Sequence, residues 1–332
     1  MPKENLLQIS FLNRIKNLIP ETVSLSDTLS ELLEISTDSA YRRLRGETML
    51  DINEIQILCS RFHISFDSFL NNPGNISFNY EGMSGSKGFE NYLTAILNDM
   101  IFIESAANKQ IIYSAVDVPI FHHFNYPELS AFKMFYWMKA VVNEPTLNDK
   151  KFSPMHISVE FAELGKKIYE VYCKIPSIEI WTDETINSLI KQIEFYWDSG
   201  NFASKEDALI VCEKAKEEIE TLHLQAERSS KKPALTSAEP DFTLFHSQIE
   251  IGNNCIFTKK DDYESVYLSV HTFNKVKTSE FAFVADTKLW LENLIRKSTQ
   301  ISGVSQIYRY KFFKKASDKL DKLIEKISET TS

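Results

Sequence analysis

The sequence predicts a mainly α-helical protein with a smaller α+β part: an N-terminal five-helix domain, a helical middle region and a small C-terminal antiparallel sheet with covering helices. Apolar residues recur at three- and four-residue spacing through most of the chain before Arg228. Only 9 glycines occur in 332 residues, against 23 phenylalanines and 13 tyrosines, which suits regular, aromatic-packed helices. Runs rich in β-branched and aromatic residues gather after Pro240.

A chain of 332 residues exceeds what one hydrophobic core usually supports, so several domains are expected. With 43% hydrophobic and 25% charged residues it falls among ordinary globular proteins. Cys59, Cys173, Cys212 and Cys255 are scattered without a C-x-x-C pair, which argues against a zinc knuckle or a disulfide framework; they read as reduced packing residues. The start, "MPKENLLQISFLNRIKNLIP", has no basic region followed by an apolar one, and no later stretch is apolar enough to span a membrane. A cytoplasmic protein with no membrane partner is expected.

The first domain is assigned to residues 1–72. Leu6 to Leu18 carries helical periodicity up to Pro20. "SLSDTLSELLEI" opens on a Ser24 or Ser26 cap and sets Leu25, Leu29, Leu32 and Leu33 on one face. In "STDSAYRRLRGE", Ser36 or Thr37 caps a helix running to Leu44, and Gly46 ends it in a left-handed conformation. Asp51 caps "INEIQILCSRFHI", and "SFDSFL" adds a final turn. Residues 73–88 read as a linker, because Pro73 and four of the nine glycines interrupt all periodicity there. "GMSGSKG" lacks the G-x-x-x-x-G-K-[ST] order of a phosphate loop.

Residues 89–228 form the helical middle domain, with helix starts at Thr182 with Thr185 and at Ser204 with Asp207, and a stop at Gly200. "KQIIYSAVDVPIFHHF" is a strand-like run broken by Pro119. His122 and His123 read as a half-buried pair pointing in two directions along that run, and Phe132, Phe135, Tyr136 and Trp137 read as core. A polar second linker spans 229–240. In 241–332, "FTLFHSQIEIG", "NCIFTKK", "SVYLSVHTF" and "SEFAFVAD" suit a small antiparallel meander with a turn at Lys275 to Thr278, packed with the middle domain. "TKLWLENLIRKSTQI" follows as a helix. The last helix carries Leu320, Leu323, Ile324 and Ile327 as an apolar stripe, to dock on the domain or on a second chain.

A helix, a short turn and a second helix, flanked by covering helices, is the helix-turn-helix plan. From Leu25 to Leu70, "LSELLEISTDSAYRRLRGETMLDINEIQILCSRFHISFDSFL" resembles the lambda/Cro-repressor-like helix-turn-helix transcriptional regulators in order and spacing. Two positions depart from that pattern. Glu34 stands where the family often has the turn glycine, and Arg43 where it usually has an aliphatic core residue, which leaves Ala40, Tyr41 and Leu44 as the expected buried side. The resemblance implies major-groove positions at or near Ser36, Thr37, Asp38, Ser39, Tyr41 and Arg42, with Arg42 reading guanine and Arg43 or Arg45 meeting phosphates. Further stretches, among them "YSAVDVPIFHHFNYPELSAFKMFYWMK" and "RKSTQISGVS", resemble a group of long bacterial helix-turn-helix proteins.

Charge shapes the expected function. Residues 1–75 hold seven basic and ten acidic side chains, a balance of −3 within a chain of net charge −9. Since non-specific affinity comes from phosphate neutralisation, one copy should bind double-stranded DNA weakly, so a homodimer reading two half-sites is expected. The C-terminal part would dimerise and could sense a small-molecule or protein effector. The alternative is an adaptor that uses the helix-turn-helix domain to bind protein. No H-E-x-x-H, G-x-S-x-G or spaced Cys/His set occurs, so neither enzymatic activity nor a cofactor or metal is expected.

Overall fold

The computed structural model describes residues 4–19, 23–62, 64, 66, 76–81, 86–141, 143–232, 241–270 and 274–330. The chain divides into two compact units, Met1–Tyr80 with Thr278–Phe283, and Glu81–Lys277 with Val284–Ser332. Overall it is an α+β protein with a helical N-terminal domain.

In the first unit the described residues form α1 (Glu4–Lys16), α2 (Leu25–Leu32), α3 (Thr37–Leu44) and α4 (Ile52–Phe62). Their apolar faces meet in one small core of Phe11, Leu12 and Ile15 from α1, Leu25 and Leu29 from α2, Ala40 from α3 and Leu58 from α4. The turn expected at "SFDSFL" lies, Phe66 apart, outside the described residues. Of the segment read as linker, 73–75 and 82–85 also lie outside them. Within it, Asn79–Glu81 forms a short strand, β1, and α5 (Ser86–Glu104) already begins.

The second unit is built on a mixed sheet. Its strands are β2 (Lys109–Ala115), β3 (Ser177–Trp181), β4 (Phe242–His246), β5 (Cys255–Lys260), β6 (Tyr263–Val270), β7 (Asn274–Thr278) and β8 (Thr299–Gln300), in the order β7-β6-β5-β2-β3-β4-β8. The centre is parallel: Ile112 pairs with Ile178, and Ile178 with Thr243. β2 and β5 run antiparallel, with Ile112 opposite Phe257. The sheet therefore joins strands from the middle region and the C-terminal part, where the sequence reading placed a separate meander. "SEFAFVAD" is a correction of a different kind. It is the start of α11 (Phe281–Arg296), where Val284, Thr287, Leu291 and Leu294 are buried at helical spacing, and the expected turn at Lys275 to Thr278 is strand β7.

Helices α6 (Ile120–His123), α7 (Pro127–Tyr136), α8 (Val159–Tyr172), α9 (Asp183–Asp198), α10 (Lys205–Arg228) and α12 (Gln306–Glu329) complete the unit. α9 starts on a capping box, the Thr182 amide donating to Thr185 Oγ1 at 2.9 Å, and the Asp207 amide donates to the Ser204 hydroxyl at 3.0 Å in α10. Leu320, Leu323 and Ile327 of α12 are buried within this unit, and Lys216 of α10 pairs with Asp321 at 2.7 Å. The expected aromatic core is present: Phe132 packs on Phe152, Tyr196 and Phe202.

Buried polar groups tie the sheet to its helices. Glu179, fully buried on β3, accepts hydrogen bonds from His122 Nε2 at 2.8 Å, from the Tyr172 hydroxyl and from Trp181 Nε1 at 2.9 Å. His123 meets buried Glu218 at 2.8 Å. The histidines are thus fully buried on a helical turn, each facing its own carboxylate, and not half-buried along a strand. Lys231, in the segment read as the second linker, is also buried; its Nζ donates to the Ile175 carbonyl at 2.7 Å and to Ser177 Oγ at 2.9 Å. Burial pushes its amine down to about 8. The remainder of that segment, 233–240, lies outside the described residues.

Burial alone would raise the Glu179 carboxyl, but the His122 charge and the hydrogen bonds from His122 and Tyr172 outweigh it and hold it below the usual range. A depressed carboxyl stabilises the fold above its unfolded pKa and loses that contribution as pH falls through the folded one. Glu179→Ala is expected to cost about 3–5 kcal/mol, since it strands a buried histidine. Urea unfolding at neutral and at acid pH checks both points: the mutational loss should shrink as the wild-type carboxylate protonates.

Candidate nucleic-acid interface

α3 is defined by signals at both of its ends. Ser36 caps it, its Oγ accepting the Ser39 amide at 3.2 Å. At the other end Gly46 takes φ 72°, the Glu47 amide donates to the Arg42 carbonyl at 2.8 Å and the Gly46 amide to the Arg43 carbonyl at 3.0 Å. This is a Schellman closure, which favours glycine because a left-handed backbone crowds a Cβ.

Between α2 and α3 the turn is closed the same way but without glycine. Glu34 takes φ 54°, and the Ile35 amide donates to the Ser30 carbonyl at 3.1 Å. The departure seen in the sequence is therefore a real conformational cost.

Helical geometry sorts the candidate residues. Thr37, Asp38, Tyr41, Arg42 and the C-cap Arg45 are exposed and share one face of α3, the N-cap Ser36 is exposed at its start, Ser39 is partly covered, and Ala40 is buried. Tyr41 is 48% exposed, so the buried side is supplied by Ala40 and, in part, Leu44, without Tyr41. Arg43 turns inward. Its Nε and Nη2 grip Glu54 at 3.0 and 2.6 Å, and its Nη1 donates to the Ser39 carbonyl at 3.3 Å. Arg45 forms an exposed fork on Glu47 at 2.7 and 3.1 Å, and Arg42 Nε lies 3.8 Å from the same carboxylate. The Arg45 hydrogen bond holds the Glu47 carboxyl below its usual range.

Two residues that position α3 went unrecognised in the sequence. Asp51 Oδ1 accepts the Asn53 and Glu54 amides at 2.7 and 2.9 Å, while Glu54 Oε2 accepts the Asp51 amide at 3.1 Å, a reciprocal cap on α4. The Asp51 cap was legible; that the Glu54 carboxylate also receives Arg43 was not. Gln8, buried on α1, donates from Nε2 to the Arg43 and Thr48 carbonyls at 2.8 and 2.9 Å and accepts the Leu50 amide at 2.8 Å. One amide side chain thereby fixes both sides of the exit from α3. Among the described residues no cluster of three His, Cys, Asp or Glu side chains could hold a metal ion.

This geometry coincides with a family match. Residues 11–107 match the BetR domain. That domain is a helix-turn-helix-type DNA-binding domain of transcription regulators, so the resemblance to the lambda/Cro-like regulators stands at that coarser level. Comparison with curated proteins and with solved structures gives no match. No helix among the described residues is long and apolar enough to cross a membrane.

Replacing Glu34 by glycine removes a left-handed penalty of about 1–2 kcal/mol and adds a backbone-entropy cost of about 0.5–1 kcal/mol. Glu34→Gly should therefore stabilise the first unit slightly, seen as a raised denaturation midpoint. Gln8→Ala should act in the opposite sense, by about 2–3 kcal/mol, because it leaves partly buried backbone groups unpaired; hydrogen exchange should localise the loss to Arg43–Leu50.

Proposed function

We propose that the chain is a sequence-specific, DNA-binding transcriptional regulator and not an enzyme, its first unit reading double-stranded DNA and its second unit dimerising and sensing an effector. The match of residues 11–107 to the BetR domain, over a chain segment that presents one exposed face of α3, carries this reading.

On this reading α3 enters the major groove. Arg42 is the base reader, since its guanidinium is exposed and only loosely held by Glu47, and a guanidinium can fork onto guanine O6 and N7. Arg45 meets a phosphate, trading an exposed ion pair worth little in water for a charge-assisted contact. The free amides of the first turn, after Ser36, suit another phosphate. Arg43 has a positioning role, because its ion pair with Glu54 sets α3 against α4. A balance of −3 over residues 1–75 makes a single copy a weak binder, and two copies would double the local basic patch. An effector could change half-site spacing only through its differential affinity for the two arrangements.

The same acidity favours a second reading, in which the helix-turn-helix unit is a protein-binding adaptor. Selection of genomic fragments by the intact protein at several salt concentrations separates the two. A regulator enriches a defined sequence; Arg42→Ala should weaken that binding by about 1–3 kcal/mol and relax preference at one base pair. Glu47→Gln should strengthen binding and steepen its salt dependence, because it releases Arg45 for phosphate. Absence of any enriched sequence at every salt concentration favours the adaptor.

A further inference from the structure

A cavity of about 380 Å³ lies in the second unit, between α5 and the sheet, a volume in the range of small-molecule sites. Strand register builds its floor. Tyr113 of β2 stands opposite Ile256 of β5, and Ile256 opposite Tyr267 of β6, so these three side chains share one face of the sheet. Asn254 and Ser269 make the next step along the same two strands, the Ser269 amide donating to the Asn254 carbonyl at 3.1 Å. All five residues line the cavity. Ile96 and Met100 of α5, Phe121 of α6 and Trp137 close it with apolar surface.

Charge in this lining is met in place. Its charged members among the described residues are Asp99, Asp117 and Lys275. Lys275 and, from outside the lining, Lys277 reach Asp99 at 3.3 and 3.4 Å, and Asp117 is met by the buried Lys133. Burial alone would raise the Asp99 carboxyl, but the charges of Lys277 and Lys275 outweigh it and hold it below the usual range. The carboxylates of Asp117 and Glu179 bear on the Tyr113 hydroxyl, which disfavours an anion beside it. Both are already paired, with Lys133 and His122, so a cation gains no free partner there. A charged ligand of either sign would leave water without finding a counter-ion.

The polar groups left over are neutral donors. Tyr113 is 6% exposed, and its hydroxyl has no hydrogen-bond partner among the described residues. Burial, aided by the nearby Asp117 charge, pushes its phenol well up, so the O–H is a donor at neutral pH. Asn254 Oδ1 accepts the Val116 amide at 2.8 Å, which fixes the orientation of the side-chain amide and leaves Nδ2 with two N–H groups to give. No described residue takes them. The complement of two neutral donors beside an apolar wall is an uncharged acceptor on an apolar body.

We propose that this cavity binds an uncharged small molecule, a carbonyl group on an aromatic or cyclic apolar body. The carbonyl oxygen accepts the Tyr113 O–H, with Asn254 Nδ2 as a second donor one step along the sheet, and the body packs against Ile96, Met100, Phe121 and Trp137. A hydrocarbon of the same shape would fill the space and leave both donors unsatisfied. The inference deepens the sensing part of the proposed function and rests on that reading only for its regulatory consequence.

Calorimetric titration of the full chain in the absence of DNA tests it, with 2-phenylacetamide, indole-3-acetamide and 4-phenyl-2-butanone as probes. Phenylacetate, phenethylamine and ethylbenzene are the anionic, cationic and acceptor-free controls. Saturable binding of at least one carbonyl probe, tighter than that of all three controls, is expected, with a matching rise in Tm. Tyr113→Phe should raise Kd about tenfold. Asn254→Asp, which keeps an oxygen for the Val116 amide but has no N–H to give, should raise it by a similar factor or more. Ile96→Trp, which fills the cavity and leaves both donors in place, should abolish binding; the Tm of each unliganded variant shows that it is folded. No saturable binding of any carbonyl probe, binding of the acid or the amine as tight as that of the best probe, or an unchanged Kd in all three variants overturns the proposal. Because DNA is absent, that failure would leave the DNA-binding reading intact, and failure to enrich any DNA sequence would leave the titration valid.

Discussion

The carboxylate of Glu54 is the constraint on which the placement of α3 depends. It closes the first turn of α4 by accepting the Asp51 amide, and it receives two guanidinium nitrogens of Arg43 from α3. Both side chains are largely covered, at 15% and 11% exposure, so the pair is not screened as a surface bridge would be. The orientation of α3 is consequently tied to a cap that α4 needs in any case. Gln8 adds the third fixed point from α1, and the outward face of α3 is what these three helices leave over.

The second unit uses the same device at larger scale. Glu179 and Glu218 are buried carboxylates, and each is met by one of two adjacent histidines on α6. Because His122 and His123 sit on a helical turn, neighbours in sequence can reach β3 and α10 respectively. Ionic groups in such positions act as registration marks: removing one partner leaves a charge that the core cannot solvate. The sheet and the helices over it are held in one arrangement, which is what a cavity of fixed shape requires.

Much of the first unit was legible because its signals are local. The Ser36 cap, the Gly46 exit, the Asp51 cap and the departure from a turn glycine at Glu34 each involve residues within a turn of one another. The Arg43–Glu54 pair and the Gln8 clamp were not, since they join residues 11 and 35–42 positions apart and carry no periodic signature. The sheet was harder. "SIEIW" alternates polar and apolar residues as a strand with one wet face would, yet Ser177 and Glu179 of β3 are buried along with Ile180 and Trp181, and "SEFAFVAD" offers strand-forming side chains at a spacing that also suits a helix. Which pattern prevails depends on neighbours such as β2 and β4, whose positions no local window contains. The cavity beside the carboxyl end of β2 was equally hidden, assembled from α5, α6, α9, the turn at Trp137, four strands and two loops.

Glu47 gives the exposed arginines of α3 a resident partner. Its carboxylate occupies Arg45, and partly Arg42, with an anion of much the same geometry as a phosphate oxygen pair. If α3 reads DNA as proposed, a random duplex would have to displace it and would gain little beyond what the displaced contact supplied, whereas a correct site would add base contacts that the carboxylate cannot imitate. On the proposed reading, such an internal decoy would lower residence on arbitrary DNA more than residence on a target, so search speed and discrimination would both rest on an acidic side chain in the loop behind the helix.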